Sequence, residues 1–571
     1  LDKMSAALPN ALSAKYRNSF AYTTIKDRLP VILTKVIDTL HCSRCQFAST
    51  DNPQEGSIDC VRQAIGHLSE LRYKLSTDKA LTNIEDNLND ALMWNNSLSE
   101  YRGKYNLDPT WFTAPWLLCE CYFYRKIWEI INTNAFIFSD EWKKITEFNL
   151  PIKDWDPFAK QKEQSWLSTY ATIESLAKMF NETMLSFCNC ASLEQARPHI
   201  EDIVQFALWG NKCDLSLSCG EAVHEAKALD MLFLKKLEKF ILINNMPALF
   251  SYLQRSTTKP NSTVDIILDN VGLELFADLC LADTLLQLKL ASKVRFHAKP
   301  FPFFVSDTTE EDFLLTLNNL NNQQDGNVKL LSSRWSTFLK NGTFVLTKHT
   351  FWTSPYAYYE MQRIAPDLYE ELEKSNLLIF KGDLNYRKLV GDLNWPPTTP
   401  FEQALIGFKP CPILALRTVK ADTVAGLKPG QSEQLTATDP HWMISGEYVR
   451  SFGAEFSPAS IEQFCTVTCL NRTEIQCGRL QRVLLECTLL SQQCFSGNVD
   501  CASNATRLGG QLVTILTSKV TSWAGVDEYG SIFSQSFQRV GIIGKPKCIP
   551  AGDEIALNYR RRLTTFHGRQ L

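Results

Sequence analysis

The sequence predicts an α/β protein in which an N-terminal helical domain, residues 19–250, precedes an α/β/α sandwich at 260–456 with a mostly parallel, Rossmann-like sheet. Three observations carry that prediction. Five short apolar runs in the second half have the character of parallel strands, which are buried on both faces and therefore lack polar alternation. The segments between them show helical spacing and are long enough for crossovers. The first 250 residues instead repeat their apolar positions at three- and four-residue steps, the stripe of an amphipathic helix.

In chain order, Leu29, Ile32, Leu33, Val36, Ile37 and Leu40 make one such stripe, with Pro30 tolerable in a first turn. Trp116 to Ile131 and Ala228 to Phe240 read as further helices. A Pro/Ser/Thr break at Lys259 to Thr263 introduces the strands, Val264–Leu268, Val294–Ala298, Thr343–Lys348, Leu377–Lys381 and Pro412–Arg417. Gly272 to Leu290 and Asp367 to Lys374 are helical between them. Beyond about Phe456 the β-α alternation stops, and residues 457–571 carry seven cysteines, no methionine and a basic excess, so this tail is set apart, with no structure or role assigned.

Composition narrows the class of function. The chain has 571 residues, 44% hydrophobic and 21% charged, with a formal charge of −3. That is ordinary globular composition, and it gives no reason to expect nucleic acid or an anionic membrane as partner. No apolar stretch approaches the ~18 residues of a membrane span, and the start lacks a signal peptide's apolar core. Cytoplasmic or nuclear localisation is the expectation, with protein partners unassigned. The eighteen cysteines are scattered, unlike a secreted disulfide framework. Cys42 and Cys45 have a zinc-ligand spacing but no second pair nearby, and reduced helix-surface thiols are the expected reading.

Chemistry is concentrated where the apolar runs end. In open α/β sheets ligands sit outside the carboxyl ends of the strands. Asp269 and Asn270 close the first run, and Asp307 follows another apolar stretch, Phe303-Phe-Val-Ser306. Carboxylates with an amide oxygen suit a hard divalent cation, and helix amides nearby suit phosphate. Asn270 is expected near the cap of the next helix, with Glu274 and Asp278 on one face at i+4 and i+8; Asp307 equally fits a helix cap. Lys381-Gly-Asp383-Leu384-Asn385-Tyr386-Arg387-Lys388 and Arg417-Thr418-Val419-Lys420 bring cations to two other strand ends, where they would neutralise phosphate oxygens. Val271 occupies the place of the second acid of an aspartyl-phosphate phosphatase, and neither a P-loop nor a nucleophile elbow is present. Metal-assisted hydrolysis is the fit that remains.

Leu268-Asp-Asn-Val-Gly-Leu-Glu-Leu-Phe-Ala-Asp278, Phe303-Phe-Val-Ser-Asp-Thr-Thr309, Phe380-Lys-Gly-Asp-Leu-Asn-Tyr-Arg-Lys-Leu389 and Arg417-Thr-Val-Lys420 closely resemble the damage-control phosphatase family. The branch is the one also called acidic residue methyltransferase 1, marked by Arg-Thr-x-Lys. Ser19 to Arg28, Pro115 to Tyr122 and Trp209 to Ser216 are similar to its helical portion, so the resemblance runs from about 19 to 456.

The resemblance implies a metal-dependent phosphatase of sugar phosphates such as fructose 1-phosphate and fructose 6-phosphate, with Mn²⁺, Co²⁺, Ni²⁺ or Mg²⁺. By it, Asp269, Asn270 and Asp307 would be metal ligands and catalytic residues. Asp383, Leu384, Asn385, Tyr386, Arg387 and Lys420, with Asp269 and Asn270, would hold the substrate. Glu274, with Asp307, falls at a proposed S-adenosylmethionine contact, and Asn211 falls near the pocket. The rival activity is S-adenosylmethionine-dependent glutamate O-methylation, but the chain offers only Gly272 where a nucleotide fingerprint would stand. A non-catalytic phosphometabolite-binding protein is the third reading. Residues 457–571 have no counterpart in the family and read as an extension, a disordered segment or translated noncoding sequence.

Overall fold

All five apolar runs are strands. They are β2 (Thr263–Ile267), β3 (Lys293–Ala298), β4 (Phe344–Lys348), β5 (Leu377–Lys381) and β6 (Ile413–Thr418). β6, β5, β2, β3 and β4 lie side by side in that order, every pair parallel. Two strands not foreseen extend the sheet beyond β6. β7 (Val449–Ala454) runs antiparallel to β6, and β1 (Ile241–Asn244) runs parallel to β7. β1 has only four residues, and β7 contains Arg450, Ser451 and Gly453, so neither shows the sustained apolar run that marks the inner strands.

The computed structural model describes residues 7–48, 55–135, 155–187, 192–210, 238–256, 262–445 and 448–454. All of them fall within one compact unit, Leu1–Glu462. The tail at 457–571, most of the helix expected at 228–240, and Asn211 lie outside the described residues.

Period-two alternation divides the inner strands between two cores. Val264, Ile266, Leu377, Ile379, Leu414 and Leu416 face one, Ile267, Leu378, Phe380, Ile413 and Ala415 the other. Helices Ala159–Phe187, Leu193–Trp209 and Leu273–Gln287 pack on the first face. Because both faces are covered, these strands need no polar side, and continuous apolar sequence follows. Asp265 is the exception. Its fully buried carboxylate lies on the second face and is matched by Arg295 Nε and His297 Nε2, each at 2.8 Å, and by Ser375 Oγ.

A third core joins helices Leu29–Ala48, Glu55–Ser76 and Trp116–Ala135 to the loop after β3. Tyr124 stacks on Phe304 with centroids 4.7 Å apart, and Trp128 on Phe301 at 5.5 Å. Its polar centre is Arg125, fully buried, whose guanidinium donates two bonds to Asp86 and two to Asp90 at 2.7–2.8 Å. Breaking a buried pair on one side leaves uncompensated charge, at a cost of about 3–5 kcal/mol. Arg125→Met is therefore expected to lower the urea midpoint of unfolding strongly with the denaturant slope unchanged. Among the described residues no helix is long and apolar enough to cross a membrane.

Candidate active site

The site forms where β2, β3, β5 and β6 end. Past β2 the chain runs through Asp269 and Asn270 to Gly272, whose φ of +76° turns it into helix Leu273–Gln287. Gly272, not Asn270, is the N-cap. That releases the Asn270 side chain to face the loop after β3. Asn270 and Asp307 form an antiparallel bridge, Thr308 N–H donates to Asp269 O at 2.7 Å, and Val271 N–H donates to Ser306 O at 2.9 Å. Two acids and an amide from separate strand ends are thus clasped together, each at most 4% exposed. Asp307 is not a helix cap either, since Thr309 and Asp312 form a capping box for Glu310–Asn321.

The clasping loop is strained. Phe304 and Val305 have φ of +45° and +68°, and Ser306 N–H donates back to Phe304 O at 2.8 Å around Val305. A β-branched residue there is unfavourable and persists only when its surroundings over-determine it. The stacking of Tyr124 on Phe304 supplies that constraint. Lys299 completes this side, its Nζ 3.2 Å from Asp307 Oδ2 and donating to Leu268 O at 2.8 Å.

The expected cluster of cations divides into two groups. Lys381 turns away from the site. It shares strand parity with Leu377 and Ile379, so its side chain enters the first core, 3.0 Å from Glu274 and 2.9 Å from Asp278. Burial pushes the Asp278 carboxyl up to about 7 despite Lys381. Lys388 is also buried, donating to Trp352 O at 3.0 Å, and desolvation lowers its ammonium to about 8, helped by Lys299 and Arg387. Arg417 is fully buried over the Tyr386 ring. It donates to Asp383 Oδ1 and Thr423 O, each at 2.7 Å, and to Ala421 O at 3.3 Å. These three act as internal struts: Lys381 and Arg417 follow strand parity into the core on their face of the sheet, and Lys388 lies on the inner side of helix Gly382–Leu389.

The pocket is lined by Asp269, Asp307, Asp383, Leu384, Arg387 and Lys420 together with Phe20, Arg28, Trp116, Glu120 and Phe304. Asn385 and Tyr386 point inward instead. Asn385 Nδ2 donates to Lys381 O at 2.7 Å and its Oδ1 accepts from Tyr358, while Tyr386 accepts from Ala425 N–H at 3.1 Å. Thr418 is buried, and Val419 packs with Val424, Leu427 and Trp442. Asn270, bridged to Asp307 and bonded to Asp269, lies just behind the lining, and Glu274, 1% exposed, stands behind Asn270.

Five lining residues were not anticipated as site residues. Glu120 had the clearest signal, an acid inside the apolar run of Trp116–Ala135. Burial raises its carboxyl, opposed by Arg387 and Arg28. Arg387 Nη1 lies 2.6 Å from Glu120, its Nε 2.8 Å from Asp392, and its plane 3.5 Å over Trp116. Arg28 ends a π-helical turn, Thr24–Arg28, a distortion common at functional sites. Phe20 N–H donates to Asp422 Oδ2 at 2.5 Å, which ties this segment to the loop carrying Lys420.

The donor set fits a divalent cation. Two carboxylates and an amide offer only oxygen, which suits Mg²⁺ or Mn²⁺ with positions left for water and substrate. Gly382 supplies further support. Its φ is +81°, and a Cβ there would come within 1.8 Å of Asp269 Oδ2, so the backbone leaves space that the carboxylate occupies. No group of three or more His, Cys, Asp or Glu suited to a metal occurs among the described residues; this donor set has two carboxylates, its third member being an amide.

The chain is similar to proteins already known. The damage-control phosphatase ARMT1-like domain matches residues 24–435. Damage-control phosphatase ARMT1 of Mus musculus is 42% identical over 449 residues, 78% of this chain and 98% of its own. The Homo sapiens protein of the same name is 40% identical over 450 residues, again 78% and 98%. Among solved structures, a DUF89 family protein from Pyrococcus horikoshii aligns with a TM-score of 0.33 at 13% identity, over 74% of this chain and 96% of its own.

Proposed function

The chain belongs to the damage-control phosphatase family, in its ARMT1-like division, and from that membership we propose a metal-dependent phosphatase acting on sugar phosphates of the fructose 1-phosphate and fructose 6-phosphate type. The observation that carries the reading is the meeting of Asp269, Asn270 and Asp307 with Arg28, Arg387 and Lys420 at one end of the sheet. An oxygen-donor site beside guanidinium and ammonium groups matches a phosphate ester better than a cationic methyl donor.

Asp269, Asn270 and Asp307 would hold the cation, Mn²⁺, Co²⁺, Ni²⁺ or Mg²⁺. When bound, it would polarise a phosphoryl oxygen and lower the pKa of an attacking water. The remaining work falls to the protein. Lys420 and Arg28 neutralise the phosphate, while Arg387, already matched by Glu120 and Asp392, serves more as a fixed dipole than as net charge. Asp383, held by Arg417 Nε at 2.7 Å and Lys420 N–H at 3.2 Å, has carboxylate capacity left to accept sugar hydroxyls. Phe20, Trp116 and Phe304 give the pocket apolar wall that limits water.

Phosphate release from a panel of sugar phosphates tests this, with the full chain, in Mn²⁺, Co²⁺ or Mg²⁺ and in chelator. Release is expected with at least one metal and is expected to drop about 10³-fold on chelation, since the ion supplies several kcal/mol of transition-state stabilisation. Release that persists unchanged in chelator, or none with any metal, would overturn the proposal.

A further inference from the structure

An asparagine can serve as an oxygen ligand in only one of its two amide orientations, because the nitrogen end carries two hydrogens. At Asn270 the neighbours select the orientation. Its Nδ2 donates to Asp269 Oδ2 and to Glu274 Oε2, each at 2.8 Å, while its Oδ1 accepts from Ser306 Oγ at 2.6 Å. An ionised carboxylate only accepts, so Glu274 admits the NH₂ end and refuses the carbonyl. Oδ1 has two lone pairs, and Ser306 engages one.

Asp269 makes the same demand, but it lines the pocket and is itself a candidate ligand. Glu274 lies outside the lining and is anchored from behind. Lys381 Nζ is 3.0 Å from Glu274 Oε1 and 2.9 Å from Asp278 Oδ1, and it donates to Ala207 O. Gly210 closes the space further, since a Cβ there would approach Glu274 Cα to 3.0 Å. The carboxylate thus sits on a rigid mount made by three elements. Lys381 precedes Gly382, so one dipeptide at the end of β5 supports Glu274 through a side chain and makes room for Asp269 through a missing one.

We propose that Glu274 is a positioning residue: anchored by Lys381, it holds the Asn270 amide with its oxygen available to the divalent cation and its nitrogen turned away. The inference rests on the reading of Asp269, Asn270 and Asp307 as the metal site. Mn²⁺ affinity of the full chain, measured by paramagnetic resonance titration beside the thermal midpoint, tests it without turnover. Glutamine at 274 can present either a donor or an acceptor, so Glu274→Gln should bind Mn²⁺ about 10- to 100-fold more weakly, the range for loss of a group that orients a ligand. The double variant Asn270→Asp with Glu274→Gln exchanges amide and carboxylate, and aspartate has oxygen at both ends. Most of the lost affinity should return.

Affinity of Glu274→Gln equal to wild type overturns the proposal. So does a double variant as weak as the single one, which would mark Glu274 as merely structural. If Glu274→Gln does not fold, Glu274→Asp keeps a carboxylate near Lys381 while withdrawing it from Asn270 Nδ2: weaker Mn²⁺ binding supports the proposal, and unchanged binding overturns it. Absence of Mn²⁺ binding by the wild-type chain overturns the metal reading as well, and so differs from a failure confined to Glu274.

Discussion

Gly382→Ala is expected to reduce metal-dependent phosphate release by about 10²- to 10³-fold, although it adds a single methyl group. Two costs meet at this position. The φ of +81° disfavours any L-residue by about 1–2 kcal/mol. The larger effect is steric. The new Cβ would lie 1.8 Å from Asp269 Oδ2, 2.1 Å from its Cγ and 2.7 Å from its Oδ1, all well inside contact. The carboxylate or the backbone must move by more than about 1 Å, a displacement that costs about 100-fold in rate when it separates catalytic groups. Asp269 cannot retreat freely, because Asn270 Nδ2 bonds it on one side and its own backbone carbonyl is bound by Thr308 N–H. Asp269→Ala provides the benchmark, with a loss of about 10³-fold or more from a missing metal ligand. Near-wild-type turnover by Gly382→Ala would show that Asp269 is not needed where the structure places it.

Arg417→Met is expected to destabilise the fold by about 3–5 kcal/mol, as removal of one member of a buried ion pair does. It should also lower phosphate release, because Asp383 and the loop bearing Lys420 are both held by this guanidinium. Arg417→Lys discriminates a strut from a direct phosphate contact. An ammonium could still neutralise a phosphate, but it cannot direct donors to Asp383, Thr423 O and Ala421 O together while lying over Tyr386. The lysine variant should therefore resemble Arg417→Met in urea midpoint. A lysine variant with wild-type stability that loses only substrate affinity would sink the strut role.

The inner strands were legible because burial on both faces leaves their sequence uniformly apolar, and five runs sufficed to place five strand ends. β1 and β7 were not: β7 is interrupted by Arg450, Ser451 and Gly453, and β1 is a run of only four residues beside it. Asp269, Asn270 and Asp307 were legible as polar residues at strand ends, and the structure brings all three together. Lys381 and Arg417 show where that reasoning runs out. Parity assigns each to a sheet face, Lys381 with Ile379 and Arg417 with Ala415, but does not say what occupies that face. Glu274 and Asp278 could be seen to share a helix face; that Lys381 reaches them depends on how Leu273–Gln287 lies over β5.

By itself, then, the sequence determined the elements and the family, because hydrophobic period and local motif are encoded within short windows. Only the tertiary structure decided which charges line the pocket and which are internal struts. Arg28, Glu120 and Lys420 come from segments nearly 400 residues apart at their extremes, yet they line one cavity. Whether a cation there serves substrate or fold depends on the nearest acids across those long separations, and on close approaches such as that of Gly382 to Asp269. Those are properties of packed neighbours in space, which no window of sequence contains.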